Sequence, residues 1–275
     1  MPDIVKLLKN SRPVRSLLRQ RGERQFLSKW GEGYHHGSFS SFAEARAWLP
    51  KTKEFSFPDF VNEYIDERSH RIYPFDYPVL FWLRQAFDEG ATSVLDIGGS
   101  IGNQYYAYGK YLSYPTQLTW QVHELPAFIK VGQDLALKRK APQLSFSDQL
   151  DPDQLVADVW IAAGAVEFIE TLALDQLLAK ACKRPRHVFL SKLPLYDGPP
   201  YVSTQNIGNG SFVPHHVFNR QQFIAAIEKA GYRLADSWAV PDRRFVVPVN
   251  PRTASTNTLG STSQHSDRAL SRTRC

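Results

Sequence analysis

Residues Val94–Tyr106 read VLDIGGSIGNQYY. Apolar Val94, Leu95 and Ile97 enclose Asp96, a glycine-rich turn follows (Gly98, Gly99, Ser100, Gly102), and a helical pattern begins at Asn103. This is the signature of a buried strand, a tight loop and a helix N-terminus. Such a loop lets backbone N–H groups approach a ligand closely, and the helix end favours anionic groups.

Outward from this loop the chain alternates. Strands are expected at 92–97, 118–124, 144–147, 158–163 and 187–192. Helices are expected at 103–111, 127–140, 172–182 and 220–230, the last closed by Gly231. Strands alternating with helices predict an α/β, Rossmann-like, doubly wound and mostly parallel sheet. Residues 232–240 and 244–249 are expected to close it as an antiparallel pair. Upstream, helices at 42–48, 59–68 and 79–89 suggest a helical extension over residues 25–91. Residues 194–214, with several Gly and Pro, read as a long lid-like loop. The expected division is a basic amphipathic segment over 1–24, the helical extension over 25–91, the ligand-binding domain over 92–250 and a tail over 251–275.

Composition narrows the partners. The chain has 275 residues, 43% of them hydrophobic, and a net charge of +6. That charge sits at the ends: residues 1–24 carry seven basic against two acidic residues, and 251–275 four against one. The body between them is slightly acidic, which argues against nucleic acid as the partner. Residues 251–275 are so rich in Ser, Thr and Arg that a disordered tail is expected. In residues 1–24, Ile4, Leu7, Leu8, Val14, Leu17 and Leu18 interleave with basic residues. That pattern fits weak contact with an anionic membrane surface, although the segment itself carries no Trp. No apolar run is long enough to span a bilayer and no secretory region follows Met1. Cysteine is confined to Cys182 and Cys275. A cytoplasmic protein, peripheral at most, is the expectation. Oligomeric state is not legible. No H-x-x-x-H or C-x-x-C occurs, so no metal site is expected.

The loop spacing discriminates between ligands. A dinucleotide-binding oxidoreductase would carry G-x-G-x-x-G after its first strand. Here the pattern is D-x-G-x-(small)-x-G, from Asp96 through Gly98 and Ser100 to Gly102. It resembles motif I of class I S-adenosylmethionine-dependent methyltransferases, with Ser100 in a slot usually held by glycine. The second strand ends at Glu124, a carboxylate able to accept hydrogen bonds from both hydroxyls of a ribose.

The stretches DIGGSIGNQYY, LTWQVHELPAFIKVGQ and DVWIAAGAVEFIE, with the Lys192-Leu193-Pro194 turn and Gln205, resemble one narrower family. That family is an uncharacterised group of methyltransferases often associated with bacterial surface-polysaccharide genes. The resemblance covers roughly residues 30–250. Departures are Ile97 for the usual aromatic, Ala162, Ala163 and Ala165 for serines, and Lys192 for Arg.

The resemblance implies the class I methyltransferase fold, S-adenosylmethionine as cofactor and S-adenosylhomocysteine as product. It implies that Asp96 positions the loop or takes the cofactor's ammonium through it. Gly98, Gly99, Ser100 and Gly102 would line methionine and ribose, and Glu124 would hold the diol. Ser147 or Asp148 would flank adenine, and Ala163 and Gly164 would sit beside the sulfonium. The implied acceptor is a small molecule or a sugar or glycan precursor. Transfer to a hydroxyl needs a base. The candidates are His215, His216 and Glu167, with Lys192, Asp197 and Gln205 on the same connections, while Tyr105 and Tyr106 could wall the acceptor. His35-His36 ranks below these, lying outside the core segments. The alternative is a non-catalytic methyltransferase-like binding module, at a membrane or in a biosynthetic complex.

Overall fold

The computed structural model describes residues 12–52, 54–55, 64–247 and 261–272. The first described elements are helix α1 (Arg12–Phe26), strand β1 (His35–Phe39), helix α2 (Phe42–Trp48) and helix α3 (Tyr77–Asp88). Then come β2 (Ser93–Ile97), α4 (Asn103–Tyr108), β3 (Thr119–His123), α5 (Pro126–Lys138), β4 (Leu144–Ser147) and β5 (Val159–Ala163). The chain continues with α6 (Leu174–Lys180), β6 (His187–Leu193), β7 (Leu195–Tyr196), β8 (Tyr201–Gly208) and β9 (Ser211–Asn219). It ends in α7 (Arg220–Lys229), β10 (Tyr232–Val247) and β11 (Ser261–Arg272). These elements fall into two compact units. Unit 1 draws on Met1–Ser56, Pro194–Asn219 and Arg244–Gln264, and unit 2 on Phe57–Leu193, Arg220–Arg243 and His265–Cys275.

Unit 2 holds the expected Rossmann-like fold. Its sheet runs β10-β11-β6-β5-β2-β3-β4, and β2 through β6 are mutually parallel. The chain builds outward from β2 through β3 to β4, then returns to the other side of β2 with β5. The order therefore reverses between β2 and β5, where Ile97 lies level with Ala162. Ligands in such sheets bind beyond the carboxyl ends of the strands at that switch point.

Packing follows from the sequence. Val79, Leu80, Leu83 and Ala86 recur at helical spacing, and α3 buries all four against a core with Trp120, Val122, Val159, Ile161 and Phe189. Gly132 lets α5 lie on the sheet, since a Cβ there would meet the Phe146 ring at 2.3 Å. At the opposite end of the sheet from the switch point, Asp158 ties two strands together. Its Oδ2 accepts from the Thr92 N–H (3.0 Å) and the Ser93 hydroxyl (2.9 Å), and its Oδ1 lies 2.8 Å from Lys183 Nζ. Burial alone would raise this carboxyl, but those partners hold it down to about 2.

Several expectations need correction. The closing antiparallel element exists, but Tyr232–Val247 is one continuous strand rather than the 232–240/244–249 pair. Its neighbour is β11, from within the tail expected to be disordered, and β11 pairs antiparallel with β6 from Ser266↔Leu193 to Ser271↔His187. The physical reason is that a ladder is made by backbone groups. A sequence too polar to form a core can still satisfy the open edge of β6. Tail residues 251–260 and 273–275 lie outside the described residues. The extension over 25–91 is not purely helical, because it contains β1. Of the helix expected at 59–68, only Tyr64–Arg68 is described, as a π-turn.

The expected lid over 194–214 is largely a β-hairpin. In unit 1, β8 and β9 pair antiparallel from Tyr201↔Val217 to Gly208↔Ser211, with Asn209 and Gly210 at the turn in left-handed backbone. β1 and β7 complete a four-stranded sheet ordered β1-β8-β9-β7. Helix α2 starts at Ser41, whose hydroxyl accepts from the Glu44 N–H at 3.1 Å. Among the described residues no helix is long and apolar enough to cross a membrane.

Candidate active site

In unit 2 the glycine loop leaves β2 at the switch point. Its turn alternates into left-handed backbone at Gly98 (φ 70°), Ser100 (φ 55°) and Gly102 (φ 91°). Gly98 donates its N–H to His123 O (2.8 Å), and Gly102 and Asn103 donate to Gly99 O (3.0 and 3.1 Å). A Cβ on Gly98 would lie 2.3 Å from Ala165 Cβ, and one on Gly102 would lie 2.7 Å from Leu144. Glycine is thus required at both ends of the turn by conformation and by space.

Ser100 adopts the left-handed conformation without being glycine, which costs about 1–2 kcal/mol. Ser100→Gly is expected to raise thermal stability by about 1 kcal/mol, read as an increase in Tm. If the Ser100 side chain served the fold, Tm would fall instead.

Asp96 lies under the loop and is fully buried. A Cβ on Gly99 would sit 2.5 Å from the Asp96 carboxylate, so the loop backbone rests on that group. Oδ2 accepts from Trp120 Nε1 at 3.2 Å, and burial pushes the carboxyl up to about 7 despite that donor. Of the two roles implied for Asp96, supporting the loop is the one this geometry favours.

Glu124 follows β3 and is joined to the same loop. Its Oε2 accepts from the Ser100 N–H (2.9 Å) and its Oε1 from the Leu125 N–H (2.8 Å). Burial raises its pKa, and these two N–H groups work against that rise. Each oxygen keeps acceptor capacity for a further hydroxyl. Beside it, the Glu124 N–H donates to Ser147 O (3.1 Å), which holds the ends of β3 and β4 together. The Ser147 hydroxyl accepts from the Gln149 N–H (3.0 Å), and Asp148 Oδ1 from Gln149 Nε2 (2.9 Å).

Across the switch point, β5 ends in Ala163 and Gly164. Gly164 is left-handed (φ 73°) and donates to Ser191 O at 2.8 Å. Lys192 is also left-handed (φ 63°). A Cβ on Gly164 would meet its side chain at 3.1 Å, and its Nζ lies 5.2 Å from the Phe75 ring centroid. Glu167 follows in a short 3-10 turn and is buried. Unit 2 thus gathers Asp96, Gly98, Gly99, Ser100, Gly102, Glu124, Ser147, Asp148, Ala163, Gly164 and Glu167 on successive strand ends.

The loop region also holds buried polar atoms without a protein hydrogen-bond partner: Asp96 Oδ1, Ser100 Oγ, Asn103 Oδ1 and Gln104 Oε1. Buried polar groups ordinarily find partners. With the glycine cradle and the Glu124 carboxylate, this donor and acceptor set fits a polar ligand carrying a diol, as S-adenosylmethionine does. Among the described residues no group of three His, Cys, Asp or Glu is arranged to hold a metal.

His215 and His216 stand on β9 in unit 1, not on a loop. His215 is buried, with Nε2 3.0 Å from His35 Nδ1 and Nδ1 3.0 Å from His216 O. Both its ring nitrogens are therefore engaged within its own sheet. His216, on the opposite face of the strand, packs edge-on against Phe42 at 4.6 Å. Sequence reasoning set His35 aside, yet it meets His215 across 180 residues of chain. No local signal marks such a pair. His123 was also passed over: it is half buried beside Glu124, its Nδ1 has no partner, and burial lowers its pKa.

The two tyrosines do not behave alike. Tyr105 turns onto the sheet, packs against Trp120 and Tyr114 and donates to Gln143 Oε1 (3.0 Å). Tyr106 lies under the Arg139 guanidinium, 4.5 Å away.

No family model matches the chain, and no curated protein matches it. Solved structures do. One is a 1,6-didemethyltoxoflavin N1-methyltransferase from Burkholderia thailandensis with S-adenosylhomocysteine bound. It is 17% identical, with 82% of this chain and 94% of that one covered, at a TM-score of 0.47. Another is an S-adenosylmethionine-bound amino pentose methyltransferase from Micromonospora echinaspora, 16% identical, covering 81% and 100%, at 0.46. A third is a mitomycin 7-O-methyltransferase, 16% identical, covering 93% and 68%, at 0.46.

Proposed function

We propose that unit 2 binds S-adenosylmethionine and transfers its methyl group to a small molecule or a sugar or glycan precursor. The observation that carries this reading is Glu124, a partly buried carboxylate held by the N–H of Ser100 in a three-times left-handed loop at the sheet's switch point. A ribose diol satisfies that carboxylate, and the loop's orphaned polar atoms suit the amino-acid end of the cofactor.

When bound, the sulfonium supplies an electrophilic methyl group. The acceptor's proton needs a base. In unit 2 we assign that role to Glu167, buried three residues beyond Gly164. His215 is a weaker candidate because its ring nitrogens are engaged. Lys192, strained and beside Gly164, would orient the acceptor.

The test is calorimetric titration with S-adenosylhomocysteine together with transfer of labelled methyl groups to a panel of hydroxylated acceptors. Gly98→Val should abolish binding, because its Cβ would collide with Ala165 in backbone that valine does not adopt. Glu167→Gln should keep binding and lower turnover about 100-fold or more. Failure of the parent protein to bind the cofactor would end the proposal.

A further inference from the structure

In unit 1, α1 is attached by one face and presents leucine on the other. Phe26 is buried against His36, Trp48 and Phe212. Asn206 Nδ2 donates to Phe26 O (2.7 Å) and Ser28 O (3.2 Å), which pins the helix's carboxyl end. The following turn is equally fixed: Gln25 Nε2 donates to the Tyr34 hydroxyl (2.8 Å) and the Ser28 hydroxyl to Gln25 O (2.7 Å). A helix so held ordinarily buries its leucines. Here Leu17 is 64% exposed, Leu18 36% and Leu27 40%, and Trp30 beyond the helix end is 78% exposed.

The helical period places Leu17, Arg21 and Arg24 on the side away from Phe26, with Leu18 on the flank. Lys29 Nζ sits 5.0 Å from the Trp30 ring centroid. Glu23 and Arg19 fall on the Phe26 side of the helix, where both charges act on His36. The outward surface of α1 and its turn is therefore apolar and basic together, on a rigid base. We infer that this face docks on an anionic lipid bilayer. Leucine and Trp30 would enter the interfacial region while Arg21, Arg24 and Lys29 meet the headgroups. Four large apolar side chains are few for a stable protein–protein interface, whereas a bilayer requires only shallow insertion plus positive charge. Trp30 supplies the aromatic anchor that residues 1–24 lack. This inference does not depend on the cofactor reading, because it concerns unit 1 alone.

The experiment is co-sedimentation of the full chain with phosphatidylcholine vesicles, with and without about one-third phosphatidylglycerol. Binding is expected only to the anionic vesicles and should fall as salt rises. Arg21→Glu with Arg24→Glu should weaken it about a hundredfold or more, and Trp30→Ala about tenfold. All three sites are exposed, so an unchanged Tm checks the fold, and S-adenosylhomocysteine titration checks unit 2 independently. Failure to bind anionic vesicles, equal binding to both kinds, or binding untouched by these variants would overturn the inference. So would self-association abolished by Trp30→Ala, since it would assign the face to a second copy of the chain.

Discussion

Glu124→Ala is expected to weaken S-adenosylhomocysteine binding by a hundredfold or more in calorimetric titration. Each charge-assisted hydrogen bond to a ribose hydroxyl contributes about 1.5–3 kcal/mol, and two of them amount to more than two decades of affinity. The loss has a second source, because Ser100 N–H gives up its acceptor and the left-handed turn loses the contact that orients it. Glu124→Gln keeps one carbonyl oxygen but replaces the other with a donor, so an intermediate loss of about tenfold is expected. The sign with pH follows from the same group. Its pKa is raised by burial, and on the proposed reading the ionised form is the one that accepts from the diol. Affinity should fall as pH drops into the range above the ordinary carboxylate value. Binding of Glu124→Ala within threefold of the parent would remove the carboxylate from the site.

Trp120→Ala is expected to cost about 3–5 kcal/mol of stability, measured by urea or thermal unfolding. The side chain is fully buried and packs against Tyr105 and Tyr114, so its removal leaves a cavity between α4 and the sheet. It also removes the donor to Asp96 Oδ2.

That second loss can be separated by pH. Asp96 has a folded pKa of about 7, above the ordinary value near 3.9. Its neutral form suits the fold, so its contribution is complete below about pH 4 and is lost as pH rises through 7. Trp120→Phe keeps a ring but loses the donor that lowers this pKa, so its stability should fall more steeply between pH 6 and about 8 than the parent's. Asp96→Asn cannot ionise and should flatten that slope, becoming the more stable protein at pH 8. An unchanged slope in Asp96→Asn would show that Asp96 does not set it.

Much of unit 2 was legible because its determinants are local. The apolar run of β2, the periodic spacing of α3 and the stop at Gly231 each act within a few residues, and the strand at 144–147 appears at the expected bounds. The glycine loop was legible for the same reason, since a left-handed backbone must be written in Gly or a tolerated substitute. Unit 1 was not. Its sheet joins residues 35–39 to 201–219, and His36, Ser203 and Thr204 carry no local strand signature strong enough to outweigh the nearby Gly and Pro. Trp30 lies just past the end of α1, and only the burial of Phe26 shows which way that helix faces.

By itself, the sequence determined the doubly wound α/β sheet, the turn at Gly98–Gly102 and the carboxylate at Glu124, because periodicity, conformational freedom and charge are properties of neighbouring residues. Only the tertiary structure decided that Asp96 supports the loop from below, that Ala165 closes on Gly98, that Tyr105 faces the core and that His35 meets His215. Those pairings join strands distant along the chain. Their energy comes from burial and hydrogen bonds that exist once the sheets have assembled.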